Sequence, residues 1–380
     1  MIFENEVTEV IRTSDGYLAK NKDTGRYLKL GVREAKFLCG LLDSDAMDTE
    51  AAPELDKEEQ DYLKKVYDDF GLTVQKTVAA KRHMSDKILF VFGRNNAYCS
   101  LIKLCSHLVS VYGFVILLLT ALSAGLCLNR YNETYVDSLK TVADNIGGGT
   151  FIAFYGMFII SGFIHETAHV SACYRFTGCI CKTGVKFYFC IPAFFADVND
   201  IYRNNNKAHK IVVSLMGVIS NIWIICVAII IAPFVSERVR MYLMIFVVYN
   251  MSAVIFNLIP FAKYDGYWLI QNISGINYLY DKSMSLFLVL LTKPTAFRKN
   301  NEKYKKRMTV YGFVCYAFSL YLWYVFVRMV FTLTDAANID QNACYFIRSA
   351  ATVLAVYGCI TYTVKYLKKG RIYSEKITTY

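Results

Sequence analysis

The chain has 380 residues, of which 55% are hydrophobic and only 19% are charged. Soluble domains usually carry about 25% charged residues, and the apolar residues here gather in long runs, so an ordinary set of soluble domains is excluded. The formal net charge of +11 would suit a nucleic-acid-binding protein. The basic residues lie beside the apolar runs, however, and this placement favours a role in orienting a membrane protein.

Residues 1–78 are charged and contain no apolar run long enough to cross a bilayer. ENEVTEVIRT, GYLAK and RYLKL predict three strands, with turns at SDG and NKDTG. VREAKFLCGLLD predicts a helix. Its apolar face is expected to comprise Val32, Ala35, Leu38, Leu41 and Leu42. A second helix is expected to begin near Asp56, with Glu59 in capping-box spacing. Its apolar face is expected to comprise Tyr62, Leu63, Val66, Tyr67 and Phe70.

Strands followed by short helices indicate a small α+β, winged-helix-like domain. The segments TGRYLKLG, EAKFLCGLLD and the final FGL resemble the PqqD-like recognition domain of ribosomal-peptide maturation systems. This resemblance implies that residues 1–78 bind a leader peptide as an added strand at the sheet edge. A DNA-binding winged helix is disfavoured, because DSDAMDTE and DKEEQ balance the basic residues and leave no basic stripe. A purely structural cap is the other alternative.

Residues 79–105 are predicted to be a basic juxtamembrane linker. Six apolar runs then follow, each near the about 20 residues that a spanning helix needs. The runs are 106–128, 150–173, 211–233, 241–261, 309–333 and 347–367. The first begins after residue 100, so it is not a secretory signal peptide. The fold class is therefore predicted to be a polytopic α-helical membrane protein with about six transmembrane helices in a lipid bilayer.

The distribution of Lys and Arg predicts the orientation. Residues 174–210 hold six of them and 261–308 hold nine, whereas 129–149 and 234–240 hold two each and 334–346 hold none. By the positive-inside rule, both termini and the two basic loops are cytoplasmic. An even number of spans agrees with this result. Residues 276–308 are interpreted as a basic cytoplasmic loop, and 309–380 as a C-terminal helix pair with a cytoplasmic tail.

The second run contains His-Glu-x-x-His. His165 and His169 are four residues apart, so on a helix both imidazoles lie on one face and can bind one metal ion. Glu166 lies beside them and can act as a general base. Ionisable residues inside membrane spans are costly and usually functional, and only five histidines occur in the chain. The motif therefore predicts a metal site.

Catalytic zinc usually takes three protein ligands and keeps one open position. The segment FNLIPFAKYDGYW, at the cytoplasmic end of the fourth predicted span, offers Asp265 as the third ligand. A turn containing Pro260 and Gly266 could bring Asp265 back toward the metal. By the charge rule, both motifs are expected at the same depth of the membrane.

H-E-x-x-H followed by N-x-x-P-x-x-x-x-D-G resembles the intramembrane zinc metalloproteases of the site-2-protease family. The resemblance implies that His165, His169 and Asp265 bind one zinc ion per chain and that Glu166 is the catalytic base. It also assigns Asn257 to substrate orientation or to the developing oxyanion. GVKFYFCIPAFFADVNDIYR and DGYWLIQNISGINYL extend the resemblance to the peptide zinc metalloproteases of bacterial peptide-maturation clusters.

Residues 106–275 are interpreted as the intramembrane metalloprotease core, and several further residues in it are candidates. The apolar stretch 183–196 is too short to span and is interpreted as a re-entrant or interfacial hairpin. Asp197 and Asp200, which follow it, are interpreted as groups that support the metal ligands or gate the site or, preferably, as solvated loop carboxylates. In the third span, Gly217 and Ser220 are expected to let the helix pack close to the site. Asn221 is a candidate polar contact there.

The predicted function is cleavage of a peptide, bound in extended form, in the membrane of a bacterial-type cell. The substrate would be the leader or precursor of a ribosomally made, modified peptide. Two alternatives are open. One is a metal-binding component of peptide export or immunity without protease activity, and the other is a regulatory protease that releases a membrane-anchored factor.

Overall fold

The computed structural model describes residues 3–4, 8–13, 16–22, 27–42, 56–70, 72–73, 88–91, 95–144, 148–188, 191–276, 278–292, 294–299, 304–336 and 340–377. The chain forms two compact units, residues 1–254 and 255–380. Most of both predicted turns, at SDG and NKDTG, lies outside the described residues.

The N-terminal unit begins with an antiparallel sheet of order β1-β2-β3-β4, in the part of the chain that the structure describes. The strands are β1 (Phe3–Glu4), β2 (Thr8–Thr13), β3 (Gly16–Asn21) and β4 (Tyr27–Leu30). Three strands were predicted, and the first of these is divided into β1 and β2, which pair with each other. Two helices follow, α1 (Val32–Leu42) and α2 (Lys57–Asp69).

The core of this small domain lies between the sheet and the two helices. It comprises Val10, Ala19, Leu30, Ala35, Leu38, Cys39, Tyr67 and Leu72. The predicted face of α1 is partly wrong, because Val32 is 53% exposed and Leu41 is 40% exposed, whereas Cys39 is buried. Val32 lies in the first turn, and Leu41 lies well round the helix from Ala35. The predicted capping pair at α2 is present, since the Asp56 N–H donates to Glu59 at 3.4 Å.

Helices lie at all six predicted apolar runs: α4 (Val111–Arg130), α6 (Gly148–Thr177), α7 (Lys207–Ile231), α8 (Glu237–Leu258), α12 (Lys305–Ala336) and α13 (Gln341–Ile377). Within the described ranges, five segments are long and apolar enough to cross a membrane: Val111–Arg130, Lys207–Phe234, Glu237–Leu258, Lys305–Asp335 and Gln341–Leu367. Helix α6 is not among these segments within its described residues. These helices indicate a membrane-embedded protein.

The apolar stretch after α6 forms a hairpin of β6 (Lys182–Tyr188) and β7 (Ile191–Asp197). A third strand, β5 (Ile88–Val91), pairs with β6, and helix α3 (Asn96–Ser106) follows it. The predicted linker 79–105 therefore contains regular structure. Residues of α3, α6, α7 and the two segments that flank the hairpin share one core of Tyr98, Ile102, Val170, Ala172, Cys173, Cys181, Ile201 and Val213. A further helix, α5 (Asn132–Asp144), lies between α4 and α6.

The C-terminal unit contains α9 (Asp265–Ser274), α10 (Leu279–Thr292), α11 (Pro294–Lys299), α12 and α13. Helix α10 falls where sequence analysis placed a cytoplasmic loop. It is buried against α12 and α13, and Tyr280, Met284 and Leu288 belong to the core of this unit. A Cβ atom at Gly312 of α12 would collide with the Ser283 carbonyl of α10, so the two helices are in close contact there.

Candidate metal centre

Helix α6 brings the two histidines of the motif together. Their Nε2 atoms lie 3.2 Å apart, and the rings are nearly perpendicular, with centroids 4.8 Å apart. His165 is 8% exposed and His169 is 6% exposed. The pair is thus buried, and both Nε2 nitrogens face one point.

The tautomer of His169 follows from its contact with α7. Its Nδ1 lies 2.7 Å from the carbonyl oxygen of Val213. A carbonyl can only accept a hydrogen bond, so Nδ1 carries the proton, and in the neutral ring Nε2 keeps its lone pair. Metal-binding histidines commonly donate their other ring N–H in this way, which also holds the ring in orientation. Val213 could not be found from the sequence, because a backbone carbonyl leaves no signal in it.

The space in front of the two nitrogens depends on a glycine of α7. A Cβ atom added at Gly217 would lie 2.5 Å from Nε2 of His165 and closer still to Nε2 of His169. Real Cβ atoms essentially never approach other atoms that closely. The expectation that Gly217 lets α7 pack close to the motif is therefore confirmed.

The nitrogen pair fits a tetrahedral metal ion. With zinc–nitrogen distances of about 2.0–2.1 Å, two ligand nitrogens at tetrahedral positions are separated by about 3.3 Å, close to the observed 3.2 Å. Imidazole nitrogens are also a donor type that zinc accepts. Glu166, which directly follows His165 on α6, is half-buried and lies beside the face that carries the two histidines.

Asp265 and Asn257 belong to the C-terminal unit. Asp265 is the first residue of α9 and is half-buried, and Asn257 lies in the last turn of α8. The predicted turn is present between them and is held by a hydrogen bond of 2.5 Å from the Tyr311 hydroxyl to the Pro260 carbonyl. A Cβ atom at Gly266 would collide with the Leu258 carbonyl, which explains the glycine after Asp265. Participation of Asp265 in the metal site stays a prediction.

Two buried asparagines lie on the helices that follow the motif. Asn250 of α8 accepts a hydrogen bond of 2.6 Å from the Ser161 hydroxyl of α6, a contact that the sequence analysis missed. Its only signal was a polar residue in the middle of an apolar run. Asn221 of α7 is 1% exposed, and its Oδ1 accepts no hydrogen bond from the residues that the structure describes. The expected polar residue is thus buried, four positions after Gly217.

Asp197 and Asp200 are not solvated loop carboxylates. Asp197 accepts a hydrogen bond of 3.3 Å from the Asn199 N–H and caps the short 3-10 helix Val198–Arg203. Burial raises the pKa of Asp197, and the nearby Asp200 carboxylate also raises it. The hydrogen bond from the Asn199 N–H and the charge of Lys20 act in the opposite direction but do not cancel this rise. A role for Asp197 around the metal stays a prediction.

Asp200 contacts the N-terminal sheet. It accepts hydrogen bonds of 2.5 Å from Lys20 of β3 and from the Tyr27 hydroxyl of β4. Burial, together with this bond to Asp200, raises the pKa of Tyr27, so the hydroxyl stays protonated and donates.

No family model, curated protein or solved structure matches the chain.

Proposed function

We propose that the protein is an intramembrane zinc-dependent endopeptidase of the site-2-protease type. The observation that carries this proposal is the buried pair of Nε2 atoms 3.2 Å apart, with His169 held by the Val213 carbonyl. Burying two imidazoles in an apolar helix is unfavourable unless another interaction compensates for the cost. A bound metal ion would compensate for it, because the ion accepts the lone pairs of both Nε2 atoms.

In this proposal His165, His169 and Asp265 hold one zinc ion. These three side chains are of the types that could bind a metal ion, and they leave the open coordination position that catalytic zinc needs. When bound, zinc supplies Lewis acidity, which makes a water molecule more acidic and polarises the scissile carbonyl.

Glu166 would be the general base. Its carboxylate takes a proton from the attacking water and returns it to the nitrogen of the leaving amine. A protein that only binds metal would need the histidines but not this carboxylate, so the intact Glu166 favours protease activity over an export or immunity component.

The proposed substrate is a peptide in extended form, because a helical peptide hides its carbonyl groups in its own hydrogen bonds. The β6–β7 hairpin supports this choice. In the described part of the chain β7 pairs with β6 alone, and its Phe194 contacts Phe163 of the motif helix with ring centroids 5.7 Å apart. An extended peptide segment could add to the other edge of β7.

We further propose that residues 1–78 recruit the leader peptide as a PqqD-like domain does. Both termini are cytoplasmic in this proposal, in a bacterial-type membrane.

The test compares wild type with the Glu166→Gln variant, purified from the same host. Metal analysis should find about one zinc per chain in both, and a His169→Ala variant should lose it. Mass spectrometry of co-purified peptides should find an intact peptide on Glu166→Gln and only its fragments with wild type. If both proteins hold the same uncut peptide, the protein binds but does not cleave, and the export or immunity alternative replaces the protease. A single-span membrane protein as the trapped substrate would instead favour the regulatory protease.

A further inference from the structure

Helix α7 passes the histidine pair in a direction that its contacts define. Val213 contacts His169, and one turn later Gly217 faces both histidines. Helix α7 therefore advances from the level of His169 toward that of His165. Asn221 follows Gly217 by four residues and so lies on the same face of the helix.

The amide of Asn221 is buried without a complete set of hydrogen bonds. The residue is 1% exposed, and no described residue donates to its Oδ1. The neighbouring Ser220 does not help, because its hydroxyl donates to the Gly217 carbonyl of its own helix at 2.7 Å. An unsatisfied buried carbonyl is unfavourable, and leucine would fill a similar volume without this penalty. An asparagine at position 221 is better explained by the binding of a ligand than by the packing of helix α7.

The direction of the side chain identifies where that ligand lies. Cβ atoms four residues apart on a helix are about 5–6 Å apart, and helical side chains lean toward the N-terminus. The Cα–Cβ bond of Asn221 therefore inclines toward Gly217, where an added Cβ would be next to both Nε2 atoms. A group held in front of the histidine pair would be within hydrogen-bonding reach of Asn221.

We propose that Asn221 is a substrate-binding residue whose amide pairs with a peptide group of the substrate main chain next to the metal centre. The inference rests on the proposed function and identifies a residue for it. An asparagine amide offers one acceptor and two donors, so it can accept from a peptide N–H and donate to the peptide carbonyl. A hydroxyl or a carboxylate would match this pair of groups less well.

The experiment measures binding of a small probe without requiring turnover. The full-length protein in detergent is loaded with Co²⁺ in place of zinc, and acetohydroxamate is titrated while the visible cobalt absorption is followed. Acetohydroxamate is suitable because it binds metals and carries the C=O and N–H of a peptide group. Replacement of Asn221 by Leu should weaken acetohydroxamate about tenfold, the effect of one or two hydrogen bonds. The Co²⁺ affinity should stay within about twofold. Ser220→Ala is the matched control and should bind the probe as wild type does.

A second measurement separates ligand binding from a structural role. The metal-free Asn221→Leu protein should melt no lower than wild type, because the change removes an unsatisfied buried group. Equal acetohydroxamate affinity in wild type and Asn221→Leu would overturn the proposal, as would a lower melting temperature with loss of Co²⁺ binding. Asn221→Ala serves the same test if the leucine variant does not fold. If wild type itself binds no Co²⁺, the proposed function fails and this inference fails with it. If wild type binds Co²⁺ and only the Asn221 effect is missing, the zinc site survives alone.

Discussion

At the scale of single residues, the candidate metal centre depends on a glycine of α7 as much as on the two histidines of α6. Gly217 contributes no side chain, so no Cβ atom occupies the space beside the two Nε2 atoms of His165 and His169. Small residues at helix contacts are common in membranes, where they let backbones approach closely. Here the small residue also keeps the ligand atoms uncovered.

Gly217→Ala should therefore weaken metal binding strongly while leaving most of the fold intact. The new methyl group must displace the imidazoles, and we expect at least a tenfold loss of zinc affinity in competition with a chelator. Gly156→Ala is the matched control, because it lies on α6 itself and a Cβ atom there would meet nothing within 4 Å. Equal zinc affinity in the two variants would show that the histidine pair does not need this space.

At the scale of helices, polar contacts with a neighbouring helix hold the motif helix in place. The hydrogen bond between Ser161 of α6 and Asn250 of α8 is buried, and Asn250 also donates to the Phe246 carbonyl at 2.8 Å. In an apolar environment each partner would be left unsatisfied without the other. This contact therefore helps to position α6 lengthwise against α8.

Ser161→Ala should destabilise the protein by about 1 kcal/mol, in the range measured for hydrogen bonds between membrane helices. The double variant Ser161→Ala/Asn250→Leu should recover part of this loss, because neither polar partner remains. Thermal melting in detergent measures both changes. Ser252→Ala, whose exposed hydroxyl donates only to the Val248 carbonyl of its own helix, should melt like wild type. A double variant that melts no higher than Ser161→Ala would contradict coupling through this bond.

At the scale of the N-terminal unit, charged contacts join the small sheet to the segment after the hairpin. Arg203 donates to Glu9 at 2.8 Å, and Lys20 pairs with Asp200 at 2.5 Å. The side chain of Glu9 is only 8% exposed, so removing its partner would leave a buried charge, which is strongly unfavourable. We call these two pairs the sheet contact.

Arg203→Glu should open the sheet contact, since it places two carboxylates opposite each other. Hydrogen–deuterium exchange should then increase in β2, β3 and residues 198–203, while α7 stays protected. The charge-swapped double variant Glu9→Arg/Arg203→Glu should restore most of the protection. Lys140→Glu is the control, because the Lys140–Asp137 pair is exposed and exposed pairs contribute little. Unchanged exchange in Arg203→Glu would mean that the ion pairs do not hold the sheet in place.

The sequence alone was sufficient for features that depend on neighbouring residues. Hydropathy is a local property, so all six apolar runs were found as helices, and helical periodicity already placed His165 and His169 on one face. The apolar stretch 183–196 was predicted as a hairpin because it is too short to span. Helix α10 was missed, since a short apolar run among basic residues is typical of a loop as well as of a buried helix.

Features that join distant parts of the chain were decided by the tertiary structure. The Val213 carbonyl reaches His169 across 44 positions, Ser161 reaches Asn250 across 89, and Arg203 reaches Glu9 across 194. None of these contacts has a local pattern, because each depends on which helix or strand packs against which. The sequence by itself determined the chemistry of the motif, two imidazoles and a carboxylate on an apolar helix. Only the packing of α7 against α6 decided the protonated nitrogen of His169 and the open space at Gly217, because hydrogen bonds and steric exclusion act between atoms that folding brings together.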